Sequence, residues 1–192
     1  IRDRCSGCNF RLAKKDLLVV FLLSLLRATT SFSLLIAYQN IATGVASTIH
    51  FMYPLAVSLA MMFFFHEKKS LLVMLAVLMS LFGAALLSSG ELEAKSGDTI
   101  VGQVAACISV FSYGGYIIGV RTTRAAQINS TVLTCYVMGM GAVFYLIGAM
   151  ATSGLHLVTD GYIWLIILGL ALPATAISNI TLVRAIKYAG PT

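Results

Sequence analysis

Charged side chains are scarce in this chain, and acidic ones are scarcer than basic ones. Lys and Arg together number 13, Asp and Glu together number 7, and charged residues make up 10% of the 192 residues. A soluble domain carries about 25% charged residues, so the composition excludes an ordinary soluble globular protein. Hydrophobic residues make up 59% of the chain. Because the long apolar runs do not alternate with polar residues, we expect them to cross a lipid bilayer as α-helices.

Cysteines are few and scattered, and acidic residues are missing from the apolar runs. Cys5 and Cys8 form a lone C-x-x-C pair, whereas Cys107 and Cys135 lie inside apolar runs. A structural zinc site needs about four ligands at defined spacing. No nucleophile–base pair, P-loop or dinucleotide motif is present. The sequence therefore predicts no metal, no cofactor and no enzymatic activity.

Six apolar runs remain, and each is about long enough to cross a hydrocarbon core of about 30 Å at 1.5 Å per residue. They cover residues 17–37, 46–65, 71–88, 100–120, 130–151 and 162–183. The fold class predicted from them is all-α, a polytopic transmembrane helix bundle with six spans. The predicted partners are a small-molecule substrate and the lipid bilayer. The net charge of +6 does not indicate nucleic acid, because the basic residues form short clusters between the runs.

Basic residues favour alternate links, which sets an orientation. Eleven of the 13 Lys and Arg residues fall on one side if every run crosses, whereas the link from Glu91 to Asp98 on the other side carries only Lys95. The positive-inside rule then places both chain ends in the cytoplasm. We expect an integral protein of a bacterial inner membrane. Since no initiator Met opens the chain, we also expect an internal fragment of a longer protein.

A faint internal repeat relates Leu17–Gly44 to Leu165–Thr192. The first copy leaves the membrane through an uncharged link, and the second leaves it through a link that carries Arg184 and Lys187. One element in two opposite orientations is typical of an inverted repeat with an odd number of spans per copy.

One transporter family shows similar links. The junction AYQNIATGVAS (37–47), the mid-helix Pro54, Glu67 before the next helix and the run LFGAALL (81–87) resemble helices three to five of EamA-type drug/metabolite transporters. The end LVRAIKYAGPT (182–192) is similar to the end of the eighth helix in that family. The resemblance implies ten helices in two inverted five-helix repeats. This chain would cover helices three to eight, with residues 1–90 from the first repeat and 99–192 from the second.

Arg27 is the most informative polar residue, because it lies in the middle of the first run. A mid-membrane Arg costs roughly 2.5–3.5 kcal/mol on insertion scales, so it usually faces protein or water. One interpretation is a charge in a substrate cavity, with Ser31 on the same helical face. The other is a side chain that extends to the cytoplasmic surface.

The second run carries His50 and Tyr53 on nearby faces, followed by Pro54. His50 is interpreted either as a substrate or proton-coupling residue or as half of an interhelical hydrogen bond. Pro54 removes a backbone donor, so it is a candidate hinge or a simple kink. Glu67 has a predicted structural role, at the positive end of the following helix.

The fourth and sixth runs carry the remaining candidates. Tyr113 and Tyr116 flank a glycine pair in the fourth run, where they either line a cavity or pack. In the sixth run Pro173 is a second hinge candidate. Thr175 and Asn179 stand at the repeat positions of Arg27 and Ser31, so two polar stripes are predicted to converge near the midplane.

These observations favour a transporter of small organic metabolites or drugs that works by alternating access, and the resemblance implies export. The alternative is a membrane-embedded structural or enzymatic subunit without transport activity. A cavity with Arg, His and Tyr but no acid favours a neutral, zwitterionic or anionic substrate over a bare metal cation, which prefers carboxylates.

Overall fold

The computed structural model is all-helical and describes residues 14–65, 97–151 and 161–189, together with Met74, Leu75, Leu78, Met79, Phe82, Gly83 and Leu86. The helices are α1 (Lys14–Asn40), α2 (Thr43–His50), α3 (Tyr53–Phe64), α4 (Thr99–Thr122), α5 (Ser130–Ala151), α6 (Gly161–Gly169) and α7 (Ser178–Ala189). A 3-10 turn, Arg124–Gln127, precedes α5, and a π-helical segment, Leu170–Ile177, joins α6 to α7. No strand occurs among these residues.

Four stretches of the described chain are long and apolar enough to cross a membrane, which marks the protein as a membrane protein. They are Lys15–Asn40, Thr43–Phe64, Thr99–Thr122 and Ser130–Met150. Each matches a run predicted from hydropathy, with ends displaced by a few residues. The predicted run 71–88 and Glu67 lie mostly or wholly outside the described residues, although the described positions between 74 and 86 are helical.

Two predicted runs differ from single uniform α-helices. The second is divided at Phe51 and Met52, where the Met52 amide donates to the Ile49 carbonyl three residues back at 3.0 Å. Pro54, the second residue of α3, has no amide hydrogen to donate, which explains the division. The predicted run 162–183 is helical throughout, but it passes from α to π geometry between Leu170 and Ile177.

The chain folds into two compact units, each with its own packed interior. The first unit comprises the described residues within Ile1–Leu25 and Val120–Gly190, and the second comprises those within Leu26–Gly119. These units are defined by which residues pack together, and they do not test whether the chain contains two repeats. The predicted repeat boundary between residues 90 and 99 therefore stays a prediction.

Small side chains allow close packing in the second unit. Ala37, Ile41 and Ala46 of the α1–α2 corner form a buried cluster with Ala105 and Ala106 of α4. Tyr38 packs on the edge of this cluster, and its hydroxyl is hydrogen-bonded to Ser47 Oγ at 3.2 Å. The corner between α1 and α2 is therefore held against α4 by buried methyl groups, where small residues let the backbones approach.

The start of α4 is tied to the end of α1. Asp98 caps α4, accepting from the Ile100 amide at 2.9 Å, and its own amide donates to Asn40 Oδ1 at 3.1 Å. At Gly97 a Cβ atom would lie 2.5 Å from the Cα atom of Asn40. Only glycine fits at this close approach of two backbones.

The first unit is held by apolar packing and polar contacts at one end. Val20, Leu133 and Val183 are almost fully buried, and α5 packs on α7. Arg124 lies 3.6 Å from an Asp16 carboxylate oxygen, and Lys187 Nζ donates to the Ile128 carbonyl. Thr123 caps the 3-10 turn by accepting from the Ala125 amide at 3.3 Å.

Candidate functional site

A polar cavity of about 390 Å³ opens within the second unit, formed by α1, α2, the α2–α3 break, α3 and α4. Its lining is Arg27, Thr30, Ser31, Leu34, Leu35, Tyr38, His50, Phe51, Tyr53 and Tyr113. The volume lies within the range of about 300–1,000 Å³ usual for small-molecule sites. Among the described residues the lining holds one guanidinium, one imidazole and several hydroxyls, and it holds no carboxylate.

Arg27 lies halfway along α1 and contacts protein at both sides of its guanidinium. Nη1 donates to Ser31 Oγ at 3.1 Å, and Cζ lies 5.4 Å from the centre of the Tyr113 ring. Nε is buried without a hydrogen-bond partner, and Arg27 forms no ion pair with any residue that the structure describes. The charge of Arg27 is therefore uncompensated within the cavity lining.

His50 ends α2 at the point where the second span is broken. Its Nδ1 lies 2.9 Å from Ser109 Oγ of α4, and the Ser109 hydroxyl also donates to the Ala106 carbonyl at 2.6 Å. Ser109 is fully buried. This chain of hydrogen bonds fixes the imidazole ring at the cavity wall.

The rings of His50, Tyr53 and Tyr113 lie against one another. The His50 ring centre is 5.5 Å from each of the two Tyr ring centres, and the two Tyr rings meet edge to face at 4.6 Å. Edge-to-face geometry at this distance is favourable for aromatic pairs. Tyr116 stacks on Tyr113 at 6.0 Å but is almost fully buried, so it supports the wall rather than lining the cavity.

The structure thus brings five of the predicted site residues to one cavity, namely Arg27, Ser31, His50, Tyr53 and Tyr113. Thr175 and Asn179 belong to the first unit, where Asn179 Nδ2 donates to the Thr175 carbonyl at 2.6 Å. Their predicted convergence with Arg27 stays a prediction, as does a substrate-binding role for any of these residues.

Both hinge candidates lie where helix geometry changes. Pro54 follows the break between α2 and α3, and Pro173 lies within the π-helical segment Leu170–Ile177. Breaks and π turns in spanning helices are frequent at functional sites, because they release backbone groups.

Sequence reasoning missed half of the lining, although a signal was present. Thr30, Leu34 and Tyr38 follow Arg27 at intervals of three, four and four residues, which is the spacing of one helical face. Leu35 and Phe51 carried no comparable signal. Phe51 reaches the cavity because the second span breaks beside it, and from sequence Pro54 allows a kink as well as a full break.

A second depression, of about 670 Å³, is an apolar groove along α3 and α4. Leu59, Phe63, Phe111, Gly114 and Cys107 are among its lining residues, and neither a charged group nor a hydroxyl lines it. Exposed Phe63 and Phe111 are typical of a surface that meets lipid. Among its described lining residues the groove offers only the weakly hydrogen-bonding thiol of Cys107 to a polar solute, so the Arg27 cavity is the better candidate site.

Comparisons with known proteins add no relative to this description: no family model, no curated protein and no solved structure matches the chain.

Proposed function

We propose that the chain carries the solute cavity of a transporter that moves small organic metabolites or drugs across a membrane. The observation that carries the proposal is the cavity around Arg27, a polar and charged site halfway along a helix that is apolar enough to span a bilayer. Polar residues placed at membrane depth are costly, and they commonly mark substrate pathways. The resemblance to EamA-type transporters supports the same function.

The Ser109–His50 pair is the feature that most resembles an enzyme site, but its geometry argues against a membrane enzyme. A serine hydroxyl 2.9 Å from an imidazole resembles a nucleophile with its base. However, Ser109 is fully buried, and its hydroxyl is directed at the Ala106 carbonyl. A substrate therefore has no approach to Ser109 Oγ, and the pair acts as a structural contact that holds His50.

The substrate class follows from the charges in the lining. Arg27 supplies the only formal charge among the lining residues that the structure describes, and it is positive. Charge-assisted hydrogen bonds from a guanidinium to a carboxylate or phosphate are about twice as strong as neutral ones. The cavity therefore favours anionic, zwitterionic or neutral organic solutes over a bare metal cation.

The larger architecture belongs to the same proposal. We infer six spans from two inverted repeats of five helices each, with both ends of the chain in the cytoplasm of a bacterium and Pro54 and Pro173 as hinges. Support comes from the basic links, from the break before Pro54 and from the π-helical segment around Pro173. In this scheme Thr175 and Asn179 stand at the repeat positions of Arg27 and Ser31, and one repeat rocks against the other.

Flux through proteoliposomes tests the proposal. The protein encoded by the open reading frame that contains this chain is purified and reconstituted into liposomes, and counterflow of radiolabelled organic acids is measured. We expect saturable flux that Arg27→Gln lowers by about 10-fold or more, because a charge-assisted hydrogen bond contributes about 1.5–3 kcal/mol. Arg184→Gln is the matched control, since Arg184 is an exposed residue of α7 outside the cavity lining. Normal insertion with wild-type flux in Arg27→Gln would contradict the role of the cavity.

A further inference from the structure

The buried hydroxyl of Ser109 determines where the proton of His50 lies. A serine hydroxyl has one proton to donate. At Ser109 that proton is directed at the Ala106 carbonyl, at a distance of 2.6 Å. Ser109 Oγ can then only accept in its contact with His50, so His50 Nδ1 is the donor at 2.9 Å.

A neutral imidazole carries one proton, so a proton on Nδ1 leaves a lone pair on Nε2. A neutral His50 fits the cavity, because none of the lining residues in the described part of the chain is a carboxylate that could offset a second positive charge beside Arg27. Among the described residues, Nε2 of His50 has no hydrogen-bond partner. The cavity wall therefore presents a hydrogen-bond acceptor at His50 and hydrogen-bond donors at Arg27.

We propose that this cavity selects hydroxylated organic anions: the anionic group binds Arg27, and the hydroxyl donates to His50 Nε2. The proposal rests on the solute-binding role argued above. The Arg27 guanidinium carbon and the His50 ring centre lie 5.4 Å and 5.5 Å from the centre of the same Tyr113 ring, which places them within about 11 Å of each other at the wall of one cavity.

The rest of the lining narrows the class further. An ammonium group also donates hydrogen bonds, but its charge would lie near that of Arg27, and no described residue of the lining supplies a carboxylate to balance the two. A neutral hydroxyl donates without that repulsion. Leu34, Leu35 and Phe51 line the same cavity, so an apolar substituent on the solute is accommodated beside the polar groups.

Equilibrium binding to the purified full chain in lipid nanodiscs tests the class, with four matched probes measured by calorimetry. The probes are 2-hydroxy-3-phenylpropanoate, its counterpart without the hydroxyl (3-phenylpropanoate), its ammonium counterpart (phenylalanine) and its uncharged methyl ester. We expect the hydroxy acid to bind about 3- to 10-fold more tightly than 3-phenylpropanoate, the range for one net hydrogen bond. The ester and phenylalanine should bind more weakly than the hydroxy acid. Equal affinity for the two acids, tighter binding of phenylalanine or no binding of any probe would overturn the proposal.

Ser109→Ala tests the positioning role of Ser109, because it removes the acceptor that holds the proton on Nδ1. We expect the preference for the hydroxy acid over 3-phenylpropanoate to fall towards 1, while the preference for the acid over its ester remains. Ser112→Ala is the matched control on the same helix, outside the cavity lining, and should keep both preferences. An unchanged hydroxyl preference in Ser109→Ala would refute the positioning role.

Nitrogen-15 NMR of the histidine-labelled chain reads the tautomer without relying on the folding of a variant at Ser109. The His50 signal is assigned as the one that His50→Gln removes. We expect a protonated Nδ1 and an unprotonated Nε2 in the free chain, and the opposite tautomer would overturn the proposal. The two proposals can be refuted separately. Hydroxyl-selective binding without flux would refute the proposal of transport alone, whereas flux without a preference for the hydroxy acid would refute the proposal of hydroxyl selectivity alone.

Discussion

At the scale of single residues, Arg27 shows how neighbouring side chains reduce the free-energy cost of placing a charged residue in a lipid bilayer. Its insertion near the bilayer centre costs roughly 2.5–3.5 kcal/mol. The contact of its guanidinium with the Tyr113 ring contributes about 0.5–2 kcal/mol, and the hydrogen bond to Ser31 adds to it. The buried Nε still lacks a partner in the described part of the chain. A hydrogen-bonding solute is the kind of partner that such a group accommodates.

Gly97 lies where the backbone of Asn40 leaves no room for a Cβ atom. In Gly97→Ala the new Cβ would lie 2.5 Å from Asn40 Cα and 2.8 Å from Asn40 O, which are backbone atoms that cannot rotate away. We expect a loss of about 1–3 kcal/mol in the free energy of unfolding, the usual range for overpacking. Denaturant unfolding in detergent measures it.

The control for this change is Gly139→Ala in α5, where the added Cβ would have no described atom within 4 Å apart from its chain neighbours and the nearby backbone of its own helix. Alanine there should leave stability unchanged or raise it by up to about 1 kcal/mol through helix propensity. Equal stability of the two variants would show that the approach of Gly97 to Asn40 is not close in the native protein.

At the scale of elements, the break between α2 and α3 shapes the cavity. Phe51 and Met52 have φ angles of −64° and −73° with ψ near 0°, so the chain passes through a tight turn and continues as a helix. The carbonyl of His50, four residues before Pro54, receives no amide from that residue. The turn also brings Phe51 to the cavity that His50 lines.

Pro54→Ala should let α2 and α3 join, because residue 54 would then offer an amide to the His50 carbonyl. We expect exchange of the amides of residues 51–53, which both chains possess, to slow by about 2- to 10-fold, in keeping with one added net hydrogen bond. Hydrogen exchange with mass spectrometry of the peptide around 48–56 measures the rate. Leu55→Ala is the control, since it changes no backbone donor. Unchanged exchange in Pro54→Ala would assign the break to tertiary packing instead.

Much of the helical pattern was predictable, because a bilayer imposes a sharp boundary between apolar and polar residues. Hydropathy placed Ser130–Ala151 correctly and the ends of α1 and α4 within three residues. It could not tell that the second span breaks at Phe51, since Pro54 allows a kink, a hinge or a full interruption. The π geometry at Leu170–Ile177 was also unpredictable, because it depends on how neighbouring groups satisfy the backbone.

At the scale of the whole molecule, orientation in the membrane is the property that the charge pattern predicts most directly. Thr99 and Ala126 are exposed and lie at, or just beyond, opposite ends of α4. In a background with every native Cys replaced by Ser, an impermeant maleimide added outside intact cells should modify Thr99→Cys and spare Ala126→Cys. After permeabilisation both should react. The reverse pattern would refute cytoplasmic placement of the Arg121–Arg124 turn.

The site was partly predictable for a related reason. Arg27, His50 and the Tyr residues attract attention because they are the groups that lipid tolerates least. The hydrogen bond between His50 and Ser109 was not predictable. The two residues are 59 positions apart, and they meet because α4 is oriented about its axis so that Ser109 faces His50. Tyr116 illustrates the same limit, because the sequence could not distinguish a lining tyrosine from a buried one that supports it.

The hydrogen bond from the Asp98 amide to Asn40 Oδ1 also determines when the end of α1 can be fixed during synthesis. Asn40 is synthesised 58 residues before the amide that its side chain accepts from. At about 5–20 residues per second, this interval is about 3–12 s. During that interval α1 is complete, but the groups that fix its C-terminal end to α4 do not yet exist. The cavity around Arg27 therefore forms only after α4 has been made, and until then α1 stays in the membrane without the partner that later holds its C-terminal end.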